Sequence, residues 1–588
     1  LGGGRVSGQG WREPAASPLG DFQGELKASR INPAALWSSI APAALDGTFS
    51  ARAVNAESAN PAIDLSAVVK PSGTQPKAGQ LAGLRLRDLN LQGRWTPQPD
   101  NAALGVLDLR TLSAGLADAT LDGQGRLDVG ARSFDGRLAL KLPGAQGDWQ
   151  GRAAHAQGKG EFNLALDDAS RVLAWVKSLQ TLPVVGPLLR AQLDAQPGLQ
   201  VEGSARVGAT WDGGLGVLGY PAPVTGATTA APPRVQARLQ APRLLIARGT
   251  AARAADPATG SVAVVGTLQT LTLANLDLQA SGQPHQLDIT ATGQADQGPW
   301  RGTLDTQGRL QMGSAQRPDI DSGRLDLTRL QVRAIDSARK DRVVDWTLQS
   351  VAALGLRWQD ARSAINLQAD AGQLRLQPGF SNRAGTSAAA TTSPMTLAWD
   401  QLSWQKGALM TRGQLTGLPL SWVDAFTTAE GAKSGPLSQA GLGGDVVFDG
   451  SWDFLLPADA ATPPRLSAQL QRRSGDLSVQ TDGAFDENTT STQRLQTGIK
   501  EARLSVTTQG ANVQASLRWD TERLGQASAE LGTTLSPPGG EQTAWHWAPD
   551  APLRGTVTAN LPQVGVWSAL APPGWRVRGT LAASATLS

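Results

Sequence analysis

The sequence predicts an all-β chain of antiparallel, one-sided strands interrupted by a few short amphipathic helices. Three observations predict it: apolar and polar residues alternate in run after run, glycines and prolines recur at short intervals, and helical periodicity is confined to four places. Alternation carries the fold class because successive side chains of a strand point to opposite faces. Across 512–519, Val513, Ala515, Leu517 and Trp519 fall on one face, and Asn512, Gln514, Ser516 and Arg518 on the other. The same pattern selects Leu138, Leu140 and Leu142; Phe162, Leu164 and Leu166; Leu287 and Ile289; Leu325 and Leu327; and Leu504 and Val506. All of these are expected on one apolar sheet face.

The 67 Gly and 36 Pro are too frequent for long helices and suit many short strands joined by turns. Asp122-Gly123, Asp135-Gly136 and Gly147-Asp148 read as hairpin turns of one meander. Hydrophobic residues make up 40% of the 588 and the net charge is +3, a composition that folds. The length is too great for one compact core, so the chain either divides or extends as an array. With 18 Trp, 9 Phe and one Tyr, most of the buried surface is aliphatic.

Helical periodicity recurs near 32–42, 168–182, 419–430 and 562–571, each time around a tryptophan: Trp37, Trp175, Trp422 and Trp567. The second has the fullest grammar, with Asp167 or Asp168 as N-cap, Val172, Trp175, Val176 and Leu179 on one face, and Pro183 as a stop. The first and last are one cassette, since Trp37-Ser38-Ser39-Ile40-Ala41-Pro42 reappears as Trp567-Ser568-Ala569-Leu570-Ala571-Pro572. The four tryptophans are expected to pin short helices onto the sheet. Their spacing suggests modules of roughly 140 residues, far longer than solenoid repeats. The organisation expected is one continuous segment over 1–588, with flexible loops near 213–233, 249–260, 381–394, 457–464 and 536–552, where small and polar residues dominate.

Composition also excludes function classes. Lys and Arg (53) barely exceed Asp and Glu (50) and form no basic run, so no nucleic-acid footprint is expected. Without Cys there is neither a disulfide framework nor a thiolate metal site. His155, His285 and His546 are scattered and lack metal-ligand spacing, so no metal or general base is expected of them. Gly214, Gly216 and Gly219 match G-x-G-x-x-G, but Tyr220-Pro221-Ala222-Pro223 follows where a dinucleotide site needs a helix. Of the acidic pairs, Asp167-Asp168 reads as a helix cap and Asp486-Glu487 as part of a turn. The expectation is a non-enzyme without cofactor.

No signal-peptide pattern opens the chain, and no run of 18 apolar residues occurs; 172–189 comes nearest but contains Lys177, Gln180, Pro183 and Pro187. Both ends read as cuts, so any membrane anchor is expected outside the segment.

Two stretches carry a family resemblance. Asn32-Pro33-Ala34-Ala35-Leu36-Trp37 leading to Leu45-Asp46-Gly47-Thr48, and Leu89-Asn90-Leu91-Gln92-Gly93-Arg94-Trp95 with the Leu-x-Leu strands that follow, resemble the TamB proteins of the AsmA-like, repeating β-groove family. The resemblance implies an elongated, U-shaped antiparallel sheet (a β-taco) with a greasy interior. It also implies a periplasmic protein held in the inner membrane of a Gram-negative bacterium, whose C-terminal domain engages an outer-membrane barrel of the TamA type. On this reading the apolar residues named above line a groove for phospholipid acyl chains carried between the two membranes. About 40 strands at roughly 4.8 Å each would span on the order of 100–200 Å. A second reading is a scaffold that offers sheet edges to outer-membrane barrel proteins during insertion. A third is a closed, dry β-solenoid or polysaccharide lyase.

Overall fold

The structure is a computed structural model that describes residues 3–15, 20–32, 35, 44–55, 57, 60–72, 86–98, 101–116, 118–179, 198–224, 232–249, 268–314, 318–319, 321–336, 342–359, 365–382, 394–427, 436–439, 441–481, 493–539, 544–548, 550–562, 564 and 579–587. It is all-β and antiparallel, with three short helices among those residues: α1 (Ala169–Ser178), α2 (Trp422–Thr427) and α3 (Pro436–Gln439). Where the sequence reads as one continuous segment, the contacts divide the chain into two units, Leu1–Gly298 with Gly313–Asp319, and Pro299–Met312 with Ile320–Ser588.

In the first unit, strand follows strand from Arg5–Glu13 to Gln286–Gln297, each paired antiparallel with the next. Directly opposed residues share a face, so the register traces one row across many strands. One such row runs Leu121, Leu140, Gly147, Leu164, Val207, Leu239, Leu278 and Ala291. Its neighbour runs Leu138, Trp149, Phe162, Ala209, Ala237, Ala280 and Ile289.

This register corrects the expected turns. Asp122-Gly123, Asp135-Gly136 and Gly147-Asp148 all lie inside strands, and the chain reverses instead at Val129–Arg132 and Pro143–Gly144. The three glycines belong to the apolar face. Gly123 lies opposite Leu138 and Gly147 opposite Leu140, and a Cβ on Gly123 would stand 2.7 Å from the Leu138 side chain. Glycine here makes room for a large cross-strand neighbour rather than bending the backbone.

The opposite face of the same strands is polar and locks the register with charge. Arg52, Asp64, Arg94, Asp108, Arg126, Asp135 and Arg152 are opposed in succession, so signs alternate from strand to strand. Asp64 is the best supplied: Arg94 donates Nε–H to Oδ1 at 2.8 Å and Nη2–H to Oδ2 at 3.1 Å, and Arg52 and Arg110 each stand 3.5 Å away. The Arg94 hydrogen bonds hold the Asp64 carboxyl below the ordinary carboxylate range, against an opposing push from burial. A depressed carboxylate contributes stability above its unfolded-state value, near 4, and loses it as pH falls through the lowered value. Asp64→Asn is therefore expected to lower the urea midpoint at pH 7, with the difference from wild type shrinking as pH falls below the ordinary carboxylate range and vanishing once the native carboxyl is protonated. A difference that persists unchanged at low pH would show that shape rather than charge is what Asp64 supplies.

In the first unit α1 follows the strand Lys159–Leu166 and packs on Gln200–Asp212. Asp168 caps it, accepting from the Ser170 and Arg171 backbone N–H groups at 3.0 and 3.1 Å, and from the Ser170 hydroxyl at 2.6 Å. The Ser170 hydroxyl first, then the Arg171 N–H, hold its carboxyl below the ordinary range. Trp175 is half-buried within α1, while 180–182 of the expected helix lie outside the described residues. The expected loop 213–233 is tied down over its described part: Leu215 N–H donates to the Ala154 carbonyl, Val224 N–H to the Gly130 carbonyl, and Arg132 to the Ala222 carbonyl.

The second unit repeats the pattern from Trp300–Met312 to Leu581–Leu587 with two departures. First, Gly323–Asp336 is long enough to pair with two strands end to end, Arg342–Ser350 along one half and Leu354–Gln359 along the other; Met395–Gln405 closes the split by pairing with Gly372–Asn382 and with Asn366–Ala369. Second, Leu442–Gly444, Leu477–Thr481 and Gln493–Gln496 form a separate three-stranded sheet. With it goes the larger cluster of buried apolar side chains among the described residues, Leu477 and Val479 of that sheet together with Val446, Ile499, Ala502 and Leu524. Asp476 holds this corner together, accepting from the N–H groups of Leu477, Gly498 and Ile499 and from the Thr497 hydroxyl at 2.8–3.0 Å. Burial pushes its carboxyl up, and these donors outweigh that and leave it below the usual range.

Of the other expected loops, 457–464 is a turn in which Asp459 accepts from Ala461 and Thr462, and 536–552 returns through a bridge between Ser536 and His546. Residues 250–260 and 383–393 lie outside the described residues, as do Trp37, Trp567 and most of their cassettes.

Candidate functional site: an open apolar sheet face

An antiparallel sheet buries its apolar face against another layer when one is present. Here few side chains are fully buried. Among the described residues the alternating segments read exposed and half-buried in turn, as along Ser133–Leu142, Lys159–Leu166 and Gln286–Gln297, rather than exposed and buried. Most of the large apolar side chains that remain exposed on the strands belong to the apolar rows: Leu26, Phe49, Leu127 and Leu278 in the first unit, and Leu304, Leu402, Trp404, Leu504 and Leu517 in the second. Leu517 keeps 41% of its surface and Leu278 36%. Trp300 is also exposed and shares the Leu304 face, whereas Trp11, Val68 and Met410 are the main exceptions, exposed on the polar side.

The sequence-selected residues all fall on these rows. Leu138, Leu140, Leu142, Phe162, Leu164, Leu166, Leu287 and Ile289 share the apolar face of the first unit. In the second, Leu325 and Leu327 stand opposite Leu356 and Leu354. Leu504 faces Leu517, Val506 faces Ala515, and Val513 and Trp519 lie on the same side of that hairpin. The row continues from Leu470 through Leu504, Leu517, Ala529 and Val557 to Ala585. Lys141 and Arg518 point to the polar side.

Two features escaped the sequence. One is a repeated pairing of tryptophan with glycine across strands: Trp211 opposes Gly160, Trp358 opposes Gly323, Trp399 opposes Gly372, and Trp452 opposes Gly413. Each pairing lies on the apolar face. A signal was present in the unusual excess of both residue types, but the partners are distant in sequence and only register joins them. The other is the seat of Trp422. The expected helix near 419–430 is shorter, since 408–419 continues as strand and α2 begins at Trp422. Trp422 is 2% exposed and meets Trp346 edge-on at 5.4 Å, with Ala334, Leu376, Met395 and Leu418 around the pair. Trp346, Ala334, Leu376 and Met395 are themselves members of the apolar rows, so α2 covers one margin of that face.

Among the described residues the titratable side chains do not converge on one point. Among the described residues no group of three His, Asp or Glu side chains is placed to hold a metal ion. His155 Nδ1–H donates to the Tyr220 carbonyl at 3.0 Å and His546 Nδ1–H to that of Ala544 at 3.2 Å, so each ring is engaged with a backbone carbonyl. The glycine motif forms a 3-10 turn at Gly216–Leu218 with Gly219 in the left-handed region, and the described residues directly behind it, 220–224, are not helical. Asp486 and Glu487 lie outside the described residues. No helix among the described residues is long and apolar enough to cross a membrane. Comparison with models of protein families, with curated proteins and with solved structures finds no match for this chain.

Proposed function

We propose that the apolar face binds phospholipid acyl chains and carries them along successive strands, so that the protein serves as a lipid path. The observation that carries this reading is the exposure of large aliphatic side chains along register-continuous rows, opposite a face of alternating charge. Apolar surface left in water costs about 25 cal/mol per Å², and a row of leucines without hydrogen-bonding groups suits hydrocarbon, which needs none. Contacts of this kind are non-directional, so a chain can shift from one strand to the next without breaking a specific bond.

Taken with the resemblance to TamB proteins, the reading extends to a periplasmic bridge between inner and outer membranes, anchored in the inner membrane and meeting a TamA-type barrel through a further domain. Organic extraction of the purified protein followed by mass spectrometry tests the core of it. Stoichiometric or greater phospholipid is expected. A lipid-free extract, together with capture of an unfolded outer-membrane barrel protein, would turn the assignment to the scaffold reading.

A further inference from the structure

We infer that the tryptophan–glycine pairs set the clearance of the lipid path: each glycine lets an indole lie down across the neighbouring strand, so that the largest side chain on the apolar face does not stand in the way of hydrocarbon. This rests on the lipid-path reading and specifies which residues keep the path open.

Two independent observations support the lying posture. The first is steric. A Cβ added at Gly160 would stand 2.4 Å from Cζ2 of Trp211, one at Gly323 2.3 Å from Cζ2 of Trp358, one at Gly372 2.4 Å from Cζ2 of Trp399, and one at Gly413 2.4 Å from Cζ2 of Trp452. The far edge of each indole therefore occupies the space directly above the glycine. The second is polar. An indole N–H facing hydrocarbon would be an unsatisfied donor. Instead Trp399 Nε1–H donates to the Asp370 carbonyl at 2.8 Å, Trp452 Nε1–H to Thr411 Oγ1 at 3.1 Å, and Trp211 Nε1–H reaches the Arg152 carbonyl, two strands away, at 3.3 Å. A ring that stood up would lose that partner and present the N–H to the acyl chain. Small opposite large across strands thus keeps the relief of the face low, while the tryptophan still contributes its apolar area.

Gly372 gives the cleanest test because all three atoms nearest its added Cβ belong to the Trp399 ring, whereas the other pairs also meet backbone oxygens. Gly372→Ala should lift the indole and leave the strand pairing alone. The full chain would carry a photo-crosslinking residue at Leu397, two residues from Trp399 on the same face, and be loaded from palmitoyl-oleoyl phosphatidylglycerol vesicles. Wild type is expected to give lipid adducts. Gly372→Ala should give several-fold fewer at nearly unchanged thermal midpoint, and Gly372→Ala with Trp399→Ala should recover them, since no ring remains to stand. Adducts at wild-type level in Gly372→Ala, or no recovery in the double variant, would overturn the clearance role while leaving the lipid path intact. Absence of adducts in wild type itself would overturn the lipid path and this inference with it.

Discussion

An aspartate placed at Leu140 or at Leu517 is expected to leave the protein folded and to remove most of its bound lipid. Each residue sits in the middle of an apolar row, with Leu121 and Gly147 beside Leu140, and Leu504 and Ala529 beside Leu517. A carboxylate in contact with hydrocarbon has no counter-ion there and no donor, and burying an uncompensated charge is among the costliest changes a surface can suffer. With lipid absent, the same carboxylate faces water on a face that is already open, and the backbone ladder is untouched. The penalty therefore falls on occupancy and not on folding. Lys141→Asp and Arg518→Asp, one residue away on the polar side, should change lipid content little. Photo-crosslinking residues at the same four positions report the same asymmetry directly: adducts at 140 and 517, none at 141 and 518. Equal labelling of the two faces would sink the lipid assignment.

Removing the Trp422 ring is expected to give the largest loss of stability by a single substitution. The ring is almost wholly enclosed, and Trp→Ala at such a site costs about 3–5 kcal/mol through lost burial and the cavity left behind. The margin it covers has little other buried packing: among the described residues Trp346, 8% exposed, is its one buried partner, and Ala334, Leu376, Met395 and Leu418 are only partly buried. In a sheet where each strand touches mainly its neighbours, the damage should remain local. Hydrogen exchange should quicken in Arg342–Ser350 and Met395–Gln405 and stay unchanged in Asn512–Thr521. Loss of protection throughout the second unit in one step would instead mean that its strands fold as a single cooperative core.

Much of this architecture is legible in the sequence because a period of two is a local property. Nothing beyond 512–519 is needed to see that Leu517 and Trp519 share a face, and Asp168 announces α1 by standing just before Ala169. What the sequence hides is everything that depends on register. Gly123, Gly136 and Gly147 look like turn residues until their strands are paired, and only then do they appear as the low points opposite leucines and other glycines. Trp399 and Gly372 cannot be matched without knowing which strands adjoin, and the end-to-end pairing of Gly323–Asp336 depends on a strand long enough for two partners. The separate sheet around Leu477 and Val479 was hidden for another reason. Its strands are three to five residues long, too short for alternation to stand out from chance.

In the first unit, where each described strand pairs with the next in sequence, that pairing has a consequence for how such a chain can change over generations. A compact core ties every residue to distant ones, so an insertion in it must be repaired elsewhere. Here a hairpin could be duplicated or lost between two turns, and the strands on either side would meet again with apolar face matched to apolar face, since adding two strands preserves the alternation of direction. Each such event would lengthen or shorten a unit by about 10 Å. The number of strands in the unit would then be inherited as a count of hairpins, adjustable in small even steps.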